Sequence, residues 1–302
     1  MNDLPSRAAP PGVDWPARFV AHLGERYAGH VEAIVMYGSW LRGKRDTVLD
    51  FYVLLDAYAA LGSRCAATAN RLLPPNVYHV LLEGAGTSCA AKYATVTLDQ
   101  FERAIAHDFN CYFWARFAQP AAVCYVRDEA IAQRLERCFE RAAERMITAT
   151  APLLPPSFPT DALWSRAFTL TYGCELRSED AVRAGALAET YAAHLHSRTT
   201  ALAARNGLAR DADGNWRQAP PATHTRAAAA RAWRRRRRLG KLLSVARLLK
   251  AAFTFNDPLG YVVWKVARHS GVHVEPTPLQ RRHPLLLGWP VLWRLYRRGG
   301  FR

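Results

Sequence analysis

The residue types able to do chemistry are concentrated in one stretch, YGSWLRGKRDTVLDFYVLLD. Gly38-Ser39 closes a short β-branched run, Val31–Tyr37, and Asp50 stands near the start of the next apolar run, Leu49–Leu55, with a charged loop between them. A glycine at that turn lets backbone approach a phosphate, Ser39 can donate to a phosphate oxygen, and Asp50 facing the same place can hold Mg²⁺. Arg42, Lys44 and Arg45 in the loop are available to neutralise phosphate charge. A second acid two residues after the first would complete a pair of metal ligands, but that position is Tyr52. Asp56 shares the strand face yet lies about 20 Å further along it. The second carboxylate is therefore sought elsewhere, first at Glu83, then at Asp99 and Asp108.

The surrounding pattern supplies the scaffold. Ala17–Tyr27 has apolar residues at helical spacing, Val31–Tyr37 and Leu49–Leu55 read as buried strands, and Arg64–Leu73 reads as a helix. Val77–Leu82 is a further strand, followed by a turn at Glu83-Gly84-Ala85-Gly86 and a short strand at Ala91–Val96. Thr97 with Gln100 three residues on is a helix-start signal, and from there to Ala149 the pattern is largely helical. Pro152, Pro155, Pro156 and Pro159 break it, which puts a domain boundary there. Helical patterns at Asp161–Tyr172, Ser178–Asn206, Ala227–Phe253 and Tyr261–His269 make the second half almost all-α.

Half of the 302 residues are apolar, enough for a substantial core, and a disordered or fibrous chain is excluded. The net charge of +16 lies entirely beyond residue 225: residues 226–302 hold 18 Lys and Arg against 2 Asp and Glu. The six cysteines form no C-x-x-C pair and sit among apolar neighbours, as reduced core thiols do. None of the ten histidines makes a metal-ligand spacing, and no Walker loop, dinucleotide fingerprint or nucleophile elbow occurs. The expectation is a protein without a signal peptide or membrane span.

The cationic part has its own logic. RAAAARAWRRRRRLGKLLSVARLLKAAFTF carries no acid and ends in apolar residues at helical spacing, and in HPLLLGWPVLWRLYRRGGFR the aromatics Trp289, Trp293 and Tyr296 alternate with Arg294, Arg297 and Arg298. Aromatics beside arginines, on pieces too short to span, suit a helix lying in a bilayer interface. Nucleic-acid binding is the rival reading, because a basic run with aromatics also suits a phosphate backbone, but the apolar stripe exceeds what that task needs. Lys265, Arg268 and His269 are further candidates for a lipid-phosphate pocket.

A strand ending in Gly-Ser, a loop and an acid on the next strand resembles nucleotidyltransferases of the polymerase-β type. The chain more closely resembles the mitochondrial-type phosphatidate cytidylyltransferases, the translocator assembly and maintenance family, with their bacterial relatives. Tyr37-Gly38-Ser39 and Asp50-Phe51 match that family, which likewise lacks the second acid two residues on. Gly84-Ala85-Gly86, Lys92-Tyr93, then Asn110, Tyr112, Arg116 and Pro120, then Gly173 and Arg177 follow in the family's order across residues 31–180. Ala94 stands where the family has glycine.

The resemblance implies an α/β (α+β) fold with a polymerase-β-type nucleotidyltransferase domain; together with the proline break and the cationic tail it gives that domain residues 1–150, a helical lipid-substrate domain residues 151–276, and an interfacial tail residues 277–302. It implies transfer of CMP from CTP to phosphatidic acid, with Mg²⁺, giving CDP-diacylglycerol and pyrophosphate. Asp50, Ser39 and Lys92 would be catalytic, Gly38 and Ser39 would hold the triphosphate, and Arg116 and Arg177 would face phosphates. Asp50 would hold the metal, and Glu83, chosen by its place after a strand and before Gly-Ala-Gly, is the first candidate to join it. A lipid phosphate is already ionised at pH 7, so no general base is required. The partners expected are CTP, phosphatidic acid and an anionic membrane surface, with no nucleic acid, and the place is the cytoplasm, peripheral on the inner face of the cell membrane. Two alternatives stand beside this reading: an inactive nucleotidyltransferase-like protein whose basic tail binds RNA, and a nucleotidyltransferase acting on a small soluble acceptor.

Overall fold

The alternation of one central strand sets the architecture. In β2 (Leu49–Leu55), Leu49, Phe51, Val53 and Leu55 enter one buried cluster, while Tyr52 and Leu54 enter another on the opposite face, the face that also carries Asp50. A computed structural model describes residues 13–45, 47–84, 86–175, 181–220, 222–254, 263, 272, 274–282 and 287–298. The protein is mixed α/β. Its main sheet has five strands in the order β3-β4-β2-β1-β5, comprising β1 (Val31–Tyr37), β2, β3 (Asn76–Gly84), β4 (Thr87–Thr97) and β5 (Ala122–Val126). Only β2 and β4 pair in parallel; the other neighbours are antiparallel.

Helix α1 (Trp15–Arg26) covers one face of the sheet. Asp14 caps it by accepting from the Ala17 N–H, and Trp15, Phe19 and Leu23, at i, i+4 and i+8, pack on Phe51, Ile34 and Met36. The other face is covered by α3 (Leu98–His107), the single turn α4 (Trp114–Phe117) and α5 (Glu129–Thr150). Thr97 caps α3, accepting from the Gln100 N–H as the sequence predicts. Asn70 of α2 (Arg64–Leu72) is fully buried and ties that helix to the sheet, donating to the Thr95 carbonyl and accepting from the Asn76 N–H.

Two stretches differ from the sequence expectation. The run from Thr97 to Ala149 contains β5, an edge strand whose Val-Cys-Tyr-Val is β-favouring and whose Pro120 separates it from α4. The second half is not all-α: β6 (Ser157–Phe158), β8 (Trp216–Gln218) and β7 (Leu208–Arg210) form a three-stranded sheet in that order. Strands of two or three residues are too short to show a period of two, so no pattern announced them. The helical stretch 178–206 is divided at Tyr191 into α7 (Ala181–Thr190) and α8 (Ala192–Leu202).

The larger buried cluster continues past the prolines, through α6 (Thr160–Tyr172), α7 and α8 to Trp233 of α9 (Thr223–Thr254). Helix α9 has 32 residues and runs about 48 Å. Trp233 donates to the Ala149 carbonyl at 2.8 Å, and further along Arg247 donates to Pro74 O at 3.0 Å and Lys250 to Pro75 O at 2.7 Å. A separate small cluster joins Val263 and Val274 to Val291 and Leu295 of the tail helix Trp289–Arg297. Tyr261–His269, apart from Val263, lies outside the described residues, as do Lys265, Arg268 and His269. No helix among the described residues is long and apolar enough to cross a membrane.

Candidate active site

Strand register assembles the first wall of a cleft. Tyr37 of β1 lies opposite Asp50 of β2, Asp50 opposite Lys92 of β4, and Lys92 opposite His79 of β3, so four chemically active residues form one row across the sheet. The Lys92 ammonium stands 3.0 Å from Asp50 Oδ1, and both side chains are partly shielded from water. Burial and the Lys92 charge push His79 below its ordinary value, so it is neutral at pH 7. Burial pushes the Tyr37 phenol up, against the opposing charge of Arg116, and it too stays neutral.

Gly38 closes β1 with φ +90° and ψ −158°, a conformation essentially confined to glycine. A Cβ there would also stand 2.9 Å from Asp50 Oδ2, so glycine is required by backbone and by space alike. A single 3-10 turn, Ser39–Arg42, follows and ends on Gly43 in the left-handed region. The Thr47 hydroxyl donates to Lys44 O at 3.1 Å, which leaves the Ser39 hydroxyl to donate to Thr47 Oγ1 at 2.9 Å. Ser39 is thus held at the lip of the cleft.

The opposite wall is helical. Arg116 of α4 lies over the Tyr37 ring, 4.9 Å from its centroid, and faces Glu175 at 4.0 Å. From α7 come Arg183, Ala186, Leu187 and Thr190, at i, i+3, i+4 and i+7, and from α9 come Gly240, Ser244 and Arg247, at i, i+4 and i+7. Gly240 permits close approach, since a Cβ there would meet Cys174 O at 2.5 Å. Arg247 stacks on Tyr112 at 3.9 Å, and Arg42 reaches across to the Tyr191 hydroxyl at 3.1 Å, linking the two walls. The enclosed volume is about 550 Å³, within the range of small-molecule sites. Among the described residues, Arg42, Lys44, Arg116, Arg183 and Arg247 line it against two carboxylates, Asp50 and Glu175, a positive balance that favours anions.

The structure brings together Gly38, Ser39, Asp50, Lys92 and Arg116. It does not bring Glu83 to Asp50. Glu83 sits four residues beyond His79 on β3, about 13 Å along the sheet and two strands away, pairs with Ser88 and is exposed. Asp99 is exposed and bound to Arg134, and Asp108 ends α3 outside the cleft lining, so neither supplies a second carboxylate. Arg45 turns away onto Trp40, 4.6 Å from the ring centroid. Arg177 lies outside the described residues. Glu175, Arg183, Tyr191 and Arg247 were missed by sequence reasoning. The available signal was the one-face spacing in α7 and α9, with Gly240 and Ser244 one turn apart marking a close approach.

Tyr52 occupies the place of the absent second acid. It is fully buried among Tyr37, Phe101, Phe113 and Phe117, with centroids 5.0 to 6.4 Å apart, and the position is core rather than site. No group of three or more His, Cys, Asp or Glu able to hold a cation occurs among the described residues. Asp50 Oδ1 is buried and paired with the Lys92 ammonium, which leaves Oδ2, on the Gly38 side, to fit a Mg²⁺ ion held by one carboxylate, with water and ligand phosphates completing the shell.

No protein-family model matches the chain, and no curated protein matches it either.

Proposed function

We propose that the chain is a nucleotidyltransferase of the polymerase-β type that transfers CMP from CTP to phosphatidic acid at a membrane surface, with release of pyrophosphate. The observation that carries this reading is the pairing of Asp50 with Lys92 beside the Gly38 turn, at a cleft lined by Arg42, Lys44, Arg116, Arg183 and Arg247. Gly38 leaves room beside Asp50 for a triphosphate, and Ser39 turns its proton from Thr47 to a phosphate oxygen. Arg42 and Lys44 on the sheet side, with Arg116, Arg183 and Arg247 opposite, offset the charge of two phosphate-bearing ligands and hold them in line. Lys92 keeps the Asp50 carboxylate turned toward the cleft. A Mg²⁺ ion on Asp50 would polarise the phosphoryl group under attack. The attacking lipid phosphate is already anionic, so the transfer needs no general base. The choice of CTP and phosphatidic acid rests on the resemblance.

The tail supports a membrane surface as the place of action. Trp289, Trp293 and Tyr296, at i, i+4 and i+7, are 61–70% exposed, while Val291 and Leu295 on the other side of the same helix are fully buried. Three large aromatics held outward beside Arg294, Arg297 and Arg298 suit the polar–apolar boundary of a bilayer. The same helix would keep the protein peripheral, on the cytoplasmic face of the cell membrane.

The test is incubation of the purified protein with radiolabelled CTP, Mg²⁺ and phosphatidic acid in mixed micelles. Labelled CDP-diacylglycerol and pyrophosphate are expected. Equal turnover of ATP removes the cytidylyltransferase assignment, and transfer to a soluble acceptor in place of the lipid moves the reading to that class. Tighter binding to RNA than to anionic vesicles, with no turnover, favours the inactive RNA-binding alternative.

A further inference from the structure

A second cavity lies apart from the cleft, in the groove between α5 and α9, and no described residue lines both. Its volume is about 580 Å³. On the α9 side it is walled by Thr225, Ala228, Ala229 and Ala232, at i, i+3, i+4 and i+7, whose short side chains leave the space open. Its charge comes from Arg141 and Arg145, one turn apart on α5, and from Arg236 of α9. The one carboxylate among the described lining residues, Glu144, is held by Arg141 at 2.9 Å.

Arg145 and Arg236 are fixed by groups that carry no charge. Both guanidiniums stand over the Trp114 ring, 5.1 and 5.5 Å from its centroid, and Arg236 also stands over Trp233 at 5.0 Å. Arg145 donates to Ile105 O and Asp108 O, each at 2.6 Å, and Arg236 donates to Phe109 O at 3.0 Å. Carbonyls and rings orient a guanidinium without neutralising it. Among the described residues, neither comes within ion-pair distance of a carboxylate. Burial and the nearby Arg236 charge hold Arg145 below its ordinary value, against the pull of Asp108, and burial holds Arg236 down as well. Two half-buried cations on one ring repel each other, and an anion between them relieves that repulsion.

We propose that the groove between α5 and α9 is an anion site, separate from the cleft, that takes a phosphate-class anion on Arg141, Arg145 and Arg236. A planar guanidinium donates in parallel pairs to phosphate oxygens, and stacking on Trp114 and Trp233 has already oriented two of the three. Three guanidiniums and one carboxylate leave a positive balance that a doubly charged phosphate group neutralises. The recognising chemistry is the same for a free phosphate or diphosphate and for a phospholipid headgroup. The site is independent of whatever reaction the cleft performs.

The full chain is dialysed to equilibrium against radiolabelled inorganic pyrophosphate without divalent cations. The expected result is a binding step that Arg141→Gln weakens at least about fivefold, as loss of one charge-assisted contact does. Ala228→Glu sets a carboxylate at an exposed position of the groove and should weaken the same step at least about tenfold. Both variants should keep the wild-type circular dichroism spectrum, and Arg183→Ala in the cleft should leave the step within about twofold. Displacement of this pyrophosphate by vesicles containing phosphatidic acid, and not by phosphatidylcholine vesicles, identifies the ligand as a headgroup; no displacement identifies it as a free anion. The proposal is overturned if both groove variants bind as the wild type does, or if chloride at equal ionic strength displaces the pyrophosphate. The wild-type chain gives a second readout, because bound pyrophosphate should shield the half-exposed Arg141 side chain from phenylglyoxal, as mapped by mass spectrometry. Modification of Arg141 at an unchanged rate under saturating pyrophosphate overturns the proposal even if a variant fails to fold.

Discussion

On the sheet side of the cleft, Tyr37, Asp50, Lys92 and His79 stand in one row because three adjacent hydrogen-bond ladders place them there. On the helical side, Glu175, Arg183, Tyr191 and Arg247 come from separate segments, aligned only by packing at places such as Gly240 and Trp233. A ladder fixes position to a fraction of a residue, since a slip of one turns every side chain to the other face. Helix packing tolerates small shifts. In the proposed reaction the residue that must be placed most accurately, Asp50, sits on the ladder, and three of the cations that need only surround a charge, Arg116, Arg183 and Arg247, sit on helices.

Four substitutions sharpen this contrast and a fifth serves as its control. Trp233→Ala removes a buried ring that lies 5.9 Å from Trp114 and donates to Ala149 O, and is expected to cost about 3–5 kcal/mol in urea unfolding. A loss under about 1 kcal/mol would mean α9 is held chiefly by other contacts. Asp50→Asn, nearly isosteric, is expected to lower turnover at least about a hundredfold with an unchanged circular dichroism spectrum. Retention of more than about a tenth of the activity breaks the assignment of chemistry to the sheet wall.

Gly38→Ala forces a side chain into a glycine-only conformation and against Asp50. An expected loss of about 1–3 kcal/mol, seen as a lowered Tm, should come with lowered turnover. Arg183→Ala on the helical wall is expected to raise KM for the anionic substrates about tenfold with kcat little changed, as loss of one charge-assisted contact does. A kcat effect as large as that of Asp50→Asn would erase the distinction between the walls. Arg45→Ala is the control: it removes a cation stacked on Trp40 outside the cleft, and steady-state kinetics should stay within about twofold of wild type, with at most about 1 kcal/mol lost from stability.

The sequence by itself determined the strands β1 and β2 and the turn at Gly38, because period-two alternation and a glycine at a strand end are local properties. It also determined that position 52 carries no acid, and that the excess positive charge belongs to the last quarter of the chain. Only the tertiary structure decided that Lys92 is the partner of Asp50, because the parallel pairing of β2 with β4 is a long-range event with no trace in either strand. For the same reason it alone excluded Glu83, separated from Asp50 by two strands and four residues of register, and brought Glu175, Arg183 and Arg247 into the cleft. A helix period shows which residues share a face. What that face meets is set by the packing of elements distant in the chain.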